Sequence, residues 1–280
     1  MRADRVRADV LLAERGLAAS REKARAVIMS GTVYADGVKL SKSGAMLERD
    51  AAIEIRGNAL PFASRGGLKL EKAIACHGLN LTGAVAADIG ASTGGFTDCM
   101  LSQGAAKVYA IDVGYGQLDW KLRNDDRVVV MERTNARNIA PEWFSEALSF
   151  AAVDVSFISV NLIVPKLCAC MTDGGKIVVL IKPQFEAGRD KVGKHGVVRS
   201  VDTHIEVISN VALGVQRAGF ALTALDFSPI TGPKGNIEFL LIGEKRAGAE
   251  VVDGEQLTAM AKAIAAKAHE ALSRADREEE

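Results

Sequence analysis

From residue 85 onward, short apolar runs alternate with stretches of helical periodicity. The apolar runs predict strands at 85–89, 107–112, 127–131, 150–155, 176–181, 221–227 and 237–242, and helices fit near 95–103, 117–123, 141–148, 159–171 and 202–218. Regular alternation of this kind predicts an α/β domain with a doubly wound, mostly parallel sheet covered on both faces. The last two strands are joined by a Gly- and Pro-rich stretch, 228–236, with little room for a helix, so they are expected to form a terminal antiparallel hairpin. Residues 254–277 carry an Ala-rich apolar stripe (Leu257, Met260, Ile264, Ala268, Leu272) that predicts a final helix, followed by an acidic end.

The first 60 residues follow another pattern. One short helix is expected between Val10 and Leu17, and a second from Ser20, a good N-cap, to Gly31. A strand broken by the Asp36-Gly37 turn follows, then another at 52–55. Helix, helix, hairpin and strand make a small α+β module. Gly57, Pro61, Gly66 and Gly67 mark a connector. The chain therefore divides into a module at 1–60, a connector with the first helix of the larger domain at 61–82, that domain at 83–246, and a C-terminal helix and tail at 247–280. No internal repeat is present.

Composition narrows the function classes. The 280 residues are 48% hydrophobic and 25% charged, as in ordinary globular proteins, and the formal net charge is zero. The zero is unevenly spread: residues 1–72 carry +5, residues 73–246 carry −1, and residues 247–280 carry −4. The basic module carries Arg7, Arg21, Lys23 and Arg25 in or beside its two helices, and on charge alone these read either as a face for phosphate or as a solvated surface. No apolar run is long enough to span a bilayer and the first residues lack a signal-peptide core, so the expected compartment is the cytoplasm. Cys168 and Cys170 form an isolated C-x-C without further ligand spacing, and they read as buried structural residues rather than a metal site. The four histidines lack ligand spacing too.

The loop Asp88-Ile89-Gly90-Ala91-Ser92-Thr93-Gly94-Gly95-Phe96 follows the first strand of the sheet, at the edge where doubly wound folds bind ligands. Its Gly-x-x-x-Gly-Gly spacing differs from the dinucleotide fingerprint, and no Gly-Lys-Ser/Thr accompanies it. A leading carboxylate opposes a pyrophosphate but suits a cationic ligand, and S-adenosylmethionine carries a sulfonium and an ammonium. Asp112, ending the second strand, stands where an acid accepts the ribose hydroxyls of an adenosine. Asp125, Asp126 and Asn135 near the third strand are candidates for the adenine. The expected cofactor set is Asp88, Gly90, Ala91, Ser92, Gly94, Gly95, Phe96, Asp112, Asn135 and Asp154.

Four further charges are predicted to converge on the same crevice: Lys69 before the first strand, Asp154 ending the fourth, Lys182 ending the fifth, and Glu238 opening the last. Each alone is commonly a surface charge or a strand terminator; the order Lys, Asp, Lys, Glu at these topological positions is far more restrictive.

Two family resemblances attach to these residues. Arg7-x-Asp9-x-x-Leu12, Ser20-Arg21-x-x-Ala24-x-x-x-Ile28-x-x-Gly31-x-Val33 and Asp36-Gly37 resemble the S4 RNA-binding domain, which implies an RNA-docking module without chemistry of its own. Asp-x-Gly-x-x-x-Gly-Gly with Asp112 resembles the cofactor motif of Rossmann-like methyltransferases. The Lys69, Asp154, Lys182, Glu238 order resembles the catalytic set of FtsJ-type ribose 2′-O-methyltransferases. Together with Lys182-Pro183-Gln184-Phe185-Glu186, Gly196-Val197-Val198-Arg199 and Gly232–Glu238, the chain to about residue 244 is similar to the TlyA family. The resemblance implies S-adenosylmethionine-dependent 2′-O-methylation of cytidine in ribosomal RNA, with ribosomal RNA or a ribosomal subunit as partner and neither metal nor membrane.

A ribose hydroxyl is a poor nucleophile that must attack the methyl in line with the departing sulfur, so positioning and a basic group are both required. Lys182 is expected to carry most of this chemistry with Asp154 orienting it, either as a deprotonated base or as a cation stabilising the developing alkoxide. Arg65 and the glycine-spaced basic segment with Arg189, Lys191, Lys194 and Arg199 are further RNA candidates, the latter as a substrate flap. Three other classes compete. A base methyltransferase finds a partial match in Asp154-Val155-Ser156-Phe157, which lacks the two prolines of amino-methylating enzymes. A membrane-active protein is raised by the hemolysin label attached to the TlyA family, and a non-catalytic ribosome-assembly factor leaves the four charges unexplained.

Overall fold

The computed structural model describes residues 5–18, 20–29, 31–40, 42–55, 61–248 and 251–278. Residues 57–60 of the expected connector and the last two of the acidic tail lie outside the described residues. The chain divides into two compact units, Met1–Arg65 and Gly66–Glu280.

In the first unit, β1 (Arg5–Arg7) leads into α1 (Ala8–Glu14), and α2 (Arg21–Met29) precedes β2 (Val33–Ala35), β3 (Val38–Lys39), β4 (Met46–Glu48) and β5 (Ile53–Ile55). Strand β2 lies between β3 and β5, and β1 pairs with β4, all antiparallel. Ala35 faces Val38 across a two-residue turn in which Asp36 and Gly37 both have positive φ, the backbone that favours Asp-Gly. Ala8, Leu12, Ala24, Ile28, Val33, Ala35 and Leu40 form its core. Strands β1 and β4 carry no alternation in sequence, and the expected first helix starts two residues earlier than Val10.

In the second unit the elements are α3 (Gly67–His77), β6 (Val85–Ile89), α4 (Gly95–Ser102), β7 (Lys107–Ile111), α5 (Trp120–Arg123), β8 (Val128–Met131), β9 (Leu148–Val153), α6 (Val164–Ala169), β10 (Met171–Ile181), α7 (Pro183–Glu186), α8 (Val201–Arg217), β11 (Phe220–Phe227), β12 (Phe239–Lys245) and α9 (Gly254–Glu278). They build a seven-stranded sheet in the order β11-β12-β10-β9-β6-β7-β8. Neighbours from β10 to β8 run parallel; β12 is antiparallel to both β10 and β11. The hairpin expected from the 228–236 stretch is present, with β12 inserted inside the sheet rather than added at its edge.

Both faces of the sheet are covered. Ile89, Ile111, Val153, Val179, Ile181 and Leu241 point into one core cluster with residues of α6, α8 and α9. Their sequence neighbours of opposite parity, including Ala86, Val108, Phe150, Ala152, Val178, Leu180 and Leu240, are just as buried. Leu257, Ala261, Ile264, Ala265 and Ala268 of α9 are buried in the first cluster, which accounts for its Ala-rich stripe.

The helix expected at 141–148 is not formed. Pro141 opens a single 3-10 turn to Trp143, Phe144 turns extended to pack edge-on against Tyr109 with ring centroids 4.9 Å apart, and β9 begins at Leu148. The helix expected at 159–171 is shortened by a 3-10 turn at Val160–Leu162 and by β10, which starts at Met171.

Candidate active site

Parallel strands deliver the residues that follow them to one edge: Gly90 after β6, Asp112 after β7, Asp154 after β9 and Lys182 after β10. Strand β12 runs the other way, so its amino end arrives at that same edge. Phe239 pairs with Ile181, and the next residues outward are Glu238 and Lys182. The reversed strand is thus what brings a residue from position 238 to the crevice.

The four charged residues settle into two ion pairs. Lys69, in the first turn of α3 and buried, donates to Glu238 Oε2 at 2.5 Å; Glu238 is fully buried. Lys182 Nζ stands 2.5 Å from Asp154 Oδ1 and donates to Ser156 Oγ at 3.0 Å. Asp154, expected to orient Lys182, does so together with Ser156, while Glu238 is taken by Lys69. Gln184, missed in the sequence, donates from Nε2 to Glu238 Oε1 at 3.3 Å and so ties the turn after Lys182 to the second pair. Gly232 is required beneath Glu238, since a Cβ there would fall 2.1 Å from its carboxylate.

A cleft of about 470 Å³ opens beside these pairs, and its lining includes Gly90, Ser92, Asp112, Asn135, Asp154 and Phe157. At Gly90 (φ +91°) a Cβ would meet the Asp154 carbonyl oxygen at 2.4 Å, so the loop lies flat against the end of β9. Asp112 anchors the loop, accepting the Ser92 N–H at 2.8 Å and the Gly114 N–H at 2.6 Å. Asn135 faces the cleft and caps the turn that follows it, accepting the Arg137 N–H at 3.0 Å.

Other expected cofactor residues lie beneath the surface. Asp88 is fully buried; its Oδ2 accepts the Thr97 N–H at 2.8 Å and the Thr97 hydroxyl at 2.6 Å, while Oδ1 has no partner. Burial pushes its carboxyl up to about 7, so it titrates near neutrality and carries a proton at mildly acidic pH. Asp88, Gly94, Gly95 and Phe96 do not line the cleft, and Ala91 lines a small adjoining recess with Ser92 and Asp112. Asp125 and Asp126 precede β8 and therefore sit at the opposite sheet edge, where Asp125 pairs with Arg127. The expectation that they hold the adenine is corrected by the direction of that strand.

Sequence reasoning also overlooked Thr134, Arg137, Ile158 and Ile163 in the cleft wall, and the exposure of Phe157. Phe157 is 89% exposed and holds φ +65°, a left-handed backbone that a phenylalanine adopts only under constraint, at a cost of about 1–3 kcal/mol. Its ring lies 4.8 Å from that of Phe185. The signal available in the sequence was position: these residues lie on the segments that follow the carboxyl ends of β8 and β9.

The basic candidates fall in two groups. Arg7, Arg21 and Arg25 meet around Asp9 in the first unit, where Lys23 is exposed, as is Arg65. In the second unit Arg189, Lys191, Lys194 and Arg199 are exposed, Lys191 pairing with Glu206. Their segment is pinned by buried Asn236, which donates to the Gly196 carbonyl at 2.9 Å and accepts the Val198 N–H at 3.1 Å.

The FtsJ-like methyltransferase family matches residues 62–245. Among curated relatives, the TlyA 16S/23S rRNA (cytidine-2′-O)-methyltransferase of Mycobacterium tuberculosis is 42% identical over 240 residues, covering 85% of this chain and 90% of the relative. YqxC of Bacillus subtilis, a candidate rRNA methyltransferase, is 49% identical over 260 residues, covering 91% and 92%. A solved candidate hemolysin of Streptococcus thermophilus superposes with a TM-score of 0.78 at 44% identity, covering 98% of this chain and 99% of that one. The crevice with its two lysine–carboxylate pairs is thus carried by a chain that belongs to the FtsJ-like methyltransferase family.

Proposed function

We propose that this protein transfers the methyl group of S-adenosylmethionine to the ribose 2′-hydroxyl of cytidine in ribosomal RNA, in the cytoplasm, with the first unit docking the RNA. The observation that carries the reading is the meeting of Lys182–Asp154 and Lys69–Glu238 at the edge that also holds the glycine cleft. The M. tuberculosis relative is named for this activity.

The cleft suits the cofactor in its donor set: two acids, an amide, the Ser92 hydroxyl and apolar walls from Ile111, Val113, Ile158 and Ile163. Asp112, Asn135 and Asp154 would hold it with the Gly90–Ser92 loop. S-adenosylmethionine supplies an electrophilic methyl on a cationic sulfur. The protein's part is to bring a hydroxyl to that methyl and manage its proton. Lys182, fixed by Asp154 and Ser156, is the group placed to accept the proton or to stabilise the alkoxide. Lys69 and Glu238 form a buried, closed pair that, through Gln184, braces the turn carrying Lys182. Phe157 supplies a flat face for the base of the target nucleotide.

Two features favour ribose over base. In the Asp154-Val155-Ser156-Phe157 stretch the two prolines that amino-methylating enzymes carry are absent, and Asp154 Oδ1 faces the Lys182 ammonium. Cysteine attack on a pyrimidine ring is disfavoured: Cys99, Cys168 and Cys170 are buried, with burial pushing the Cys170 thiol up to about 11 and that of Cys99 to about 12, and the exposed Cys76, in the last turn of α3, does not line the cleft. Among the described residues no helix is long and apolar enough to cross a membrane, and no cluster of three or more His, Cys, Asp or Glu is suited to a metal.

Mapping ribose methylation in ribosomal RNA from cells with and without the gene tests the proposal. The expected result is loss of cytidine 2′-O-methylation, restored by the wild-type gene and not by Lys182→Ala. Loss of a base methyl with every ribose methyl intact would overturn it.

A further inference from the structure

The loop that leaves β9 is held against the turn that leaves β10 by contacts that follow the same order along both segments. Lys182 Nζ donates to Ser156 Oγ at 3.0 Å, the Phe185 ring lies 4.8 Å from that of Phe157, and Glu186 Oε1 accepts the Val160 N–H at 2.9 Å. The Ser159 hydroxyl also hydrogen-bonds to the Glu186 carboxylate. The turn itself is anchored on the lysine, whose carbonyl accepts the Phe185 N–H at 2.9 Å.

Glu186 is half-buried, and among the described residues no lysine or arginine pairs with it. Burial pushes its carboxyl above the usual glutamate range, and the Val160 N–H and Ser159 hydroxyl draw it back part of the way. Desolvating a carboxylate without a cation opposes folding, and what is gained here is the attachment of a neighbouring loop. That loop needs restraint. Phe157 holds φ +65°, a conformation that persists only where its surroundings fix it from outside. Lys182 fixes the near flank at Ser156, and Glu186 fixes the far flank at Ser159 and Val160. Val155, Ser156, Phe157 and Ile158 line the cleft, so a restraint on this loop is a restraint on one wall of the cleft. Beyond it, Asn161 donates to the Asn210 carbonyl at 3.4 Å and fills the space where a Cβ on Gly214 would stand, which ties the chain to α8 independently. Loss of Glu186 should therefore loosen residues 156–160 and leave the domain folded.

We infer that Glu186 is a positioning residue for methyl transfer: it holds the 156–160 loop against the turn that starts at Lys182, and so keeps Ser156 beside the lysine and Phe157 at the cleft. This rests on the methyl-transfer reading above and adds to it a residue that does not itself line the cleft. Positioning and proton transfer predict opposite results for Glu186→Gln. An amide carbonyl still accepts from the Val160 N–H and the Ser159 hydroxyl, but it cannot exchange a proton.

The test uses the full chain and three measurements: hydrogen–deuterium exchange by mass spectrometry, single-turnover methylation of ribosomal RNA, and calorimetric binding of S-adenosylmethionine. In Glu186→Ala, peptides spanning 155–162 are expected to exchange about 10-fold faster while the rest of the domain exchanges as in wild type. The methylation rate should fall about 10- to 100-fold, the effect of a misplaced reacting group, with cofactor affinity within a few fold of wild type. Glu186→Gln should stay close to wild type in both exchange and rate. Ser159→Ala, which removes one of the two contacts and keeps the carboxylate, is expected to move in the same direction as Glu186→Ala more weakly, and it decides the matter if Glu186→Ala fails to fold. Wild-type exchange at 155–162, or a loosened loop with wild-type methylation, would overturn the inference, as would a Glu186→Gln protein as slow as Glu186→Ala. A wild-type protein that methylates no ribose, while Glu186→Ala still loosens the loop, would instead overturn the substrate reading and leave the loop restraint standing.

Discussion

Lys69 and Glu238 are 169 residues apart in the chain and 2.5 Å apart in the fold, each enclosed so that the other is its principal charge partner. Breaking a buried pair from one side strands the remaining charge, at about 3–5 kcal/mol. Glu238→Gln is therefore expected to lower unfolding stability by that order and to depress methyl transfer. Lys69→Met combined with Glu238→Leu should recover much of the stability and none of the activity. Urea denaturation beside a single-turnover methylation assay checks both halves; a Glu238→Gln protein as stable as wild type would contradict the first.

Lys182 is expected to separate chemistry from cofactor binding. Lys182→Ala should lower the single-turnover methylation rate about 10²- to 10⁴-fold, the usual yield of a positioned proton-transfer group. Calorimetric affinity for S-adenosylmethionine should stay within a few fold, because the Gly90–Ser92 loop and Asp112 are untouched. Near-normal methylation by this variant would remove Lys182 from the centre of the reaction.

Phe157 is exposed, so truncating it should cost little folding energy, while a lost stacking face is worth about 1–3 kcal/mol per base. Phe157→Ala is expected to lower kcat/KM for RNA roughly 5- to 100-fold. Its melting temperature should match wild type, and that of Phe157→Gly should be equal or higher because glycine accepts the left-handed backbone without strain. A fall in melting temperature that parallels the loss of activity would assign the residue to packing instead.

Two buried groups should tilt stability against pH in opposite directions. Burial, with His269 Nε2 at 2.9 Å from its Nδ1, lowers His204 to about 4. The unfolded chain then takes up a proton as pH falls below about 6.5 while the folded chain does not, so stability is lost from there down to about 4. Asp88, raised to about 7, stays protonated in the fold while the unfolded carboxyl ionises, so it loses stability as pH rises from about 4 to 7. The two slopes largely cancel in the wild type. Relative to it, Asp88→Asn should be progressively less stable as pH falls through 6.5 to 4, and His204→Gln progressively less stable as pH rises through the same range. Chemical denaturation at half-unit pH steps reads both; parallel shifts of the two variants would refute the assignment.

Gly90→Ala is expected to disable the cofactor loop, since the new methyl would meet the Asp154 carbonyl oxygen at 2.4 Å and the residue would be strained at φ +91°. Loss of detectable S-adenosylmethionine binding by calorimetry is the predicted outcome; wild-type affinity would mean that the loop has room to lift.

Much of this was legible in the sequence for a physical reason. Parallel strands buried on both faces are written as unbroken apolar runs, so β6, β7, β9 and β10 and the residues that end them could be read directly. Gly90 and Gly94, part of the spacing that marked the loop in the sequence, both hold positive φ in the structure. What was not legible depended on partners distant in the chain. Which lysine takes which acid is decided by the register of β12 against β10, and nothing near residue 238 encodes it. Gln184 and Phe157 have ordinary local surroundings and acquire meaning only from what stands across from them. The 141–148 stretch has helical periodicity, but Phe144 gains more by packing on Tyr109 than by continuing a turn begun with proline.

The placement of β12 between β10 and β11 has a consequence for the order of biosynthesis. Until residues 239–245 are made, β10 lacks its outer neighbour and β11 lacks the strand that joins it to the sheet. Lys69, made early, waits for an acid that is translated 169 residues later. The Lys69–Glu238 pair therefore forms only once the strand that completes the sheet has been made.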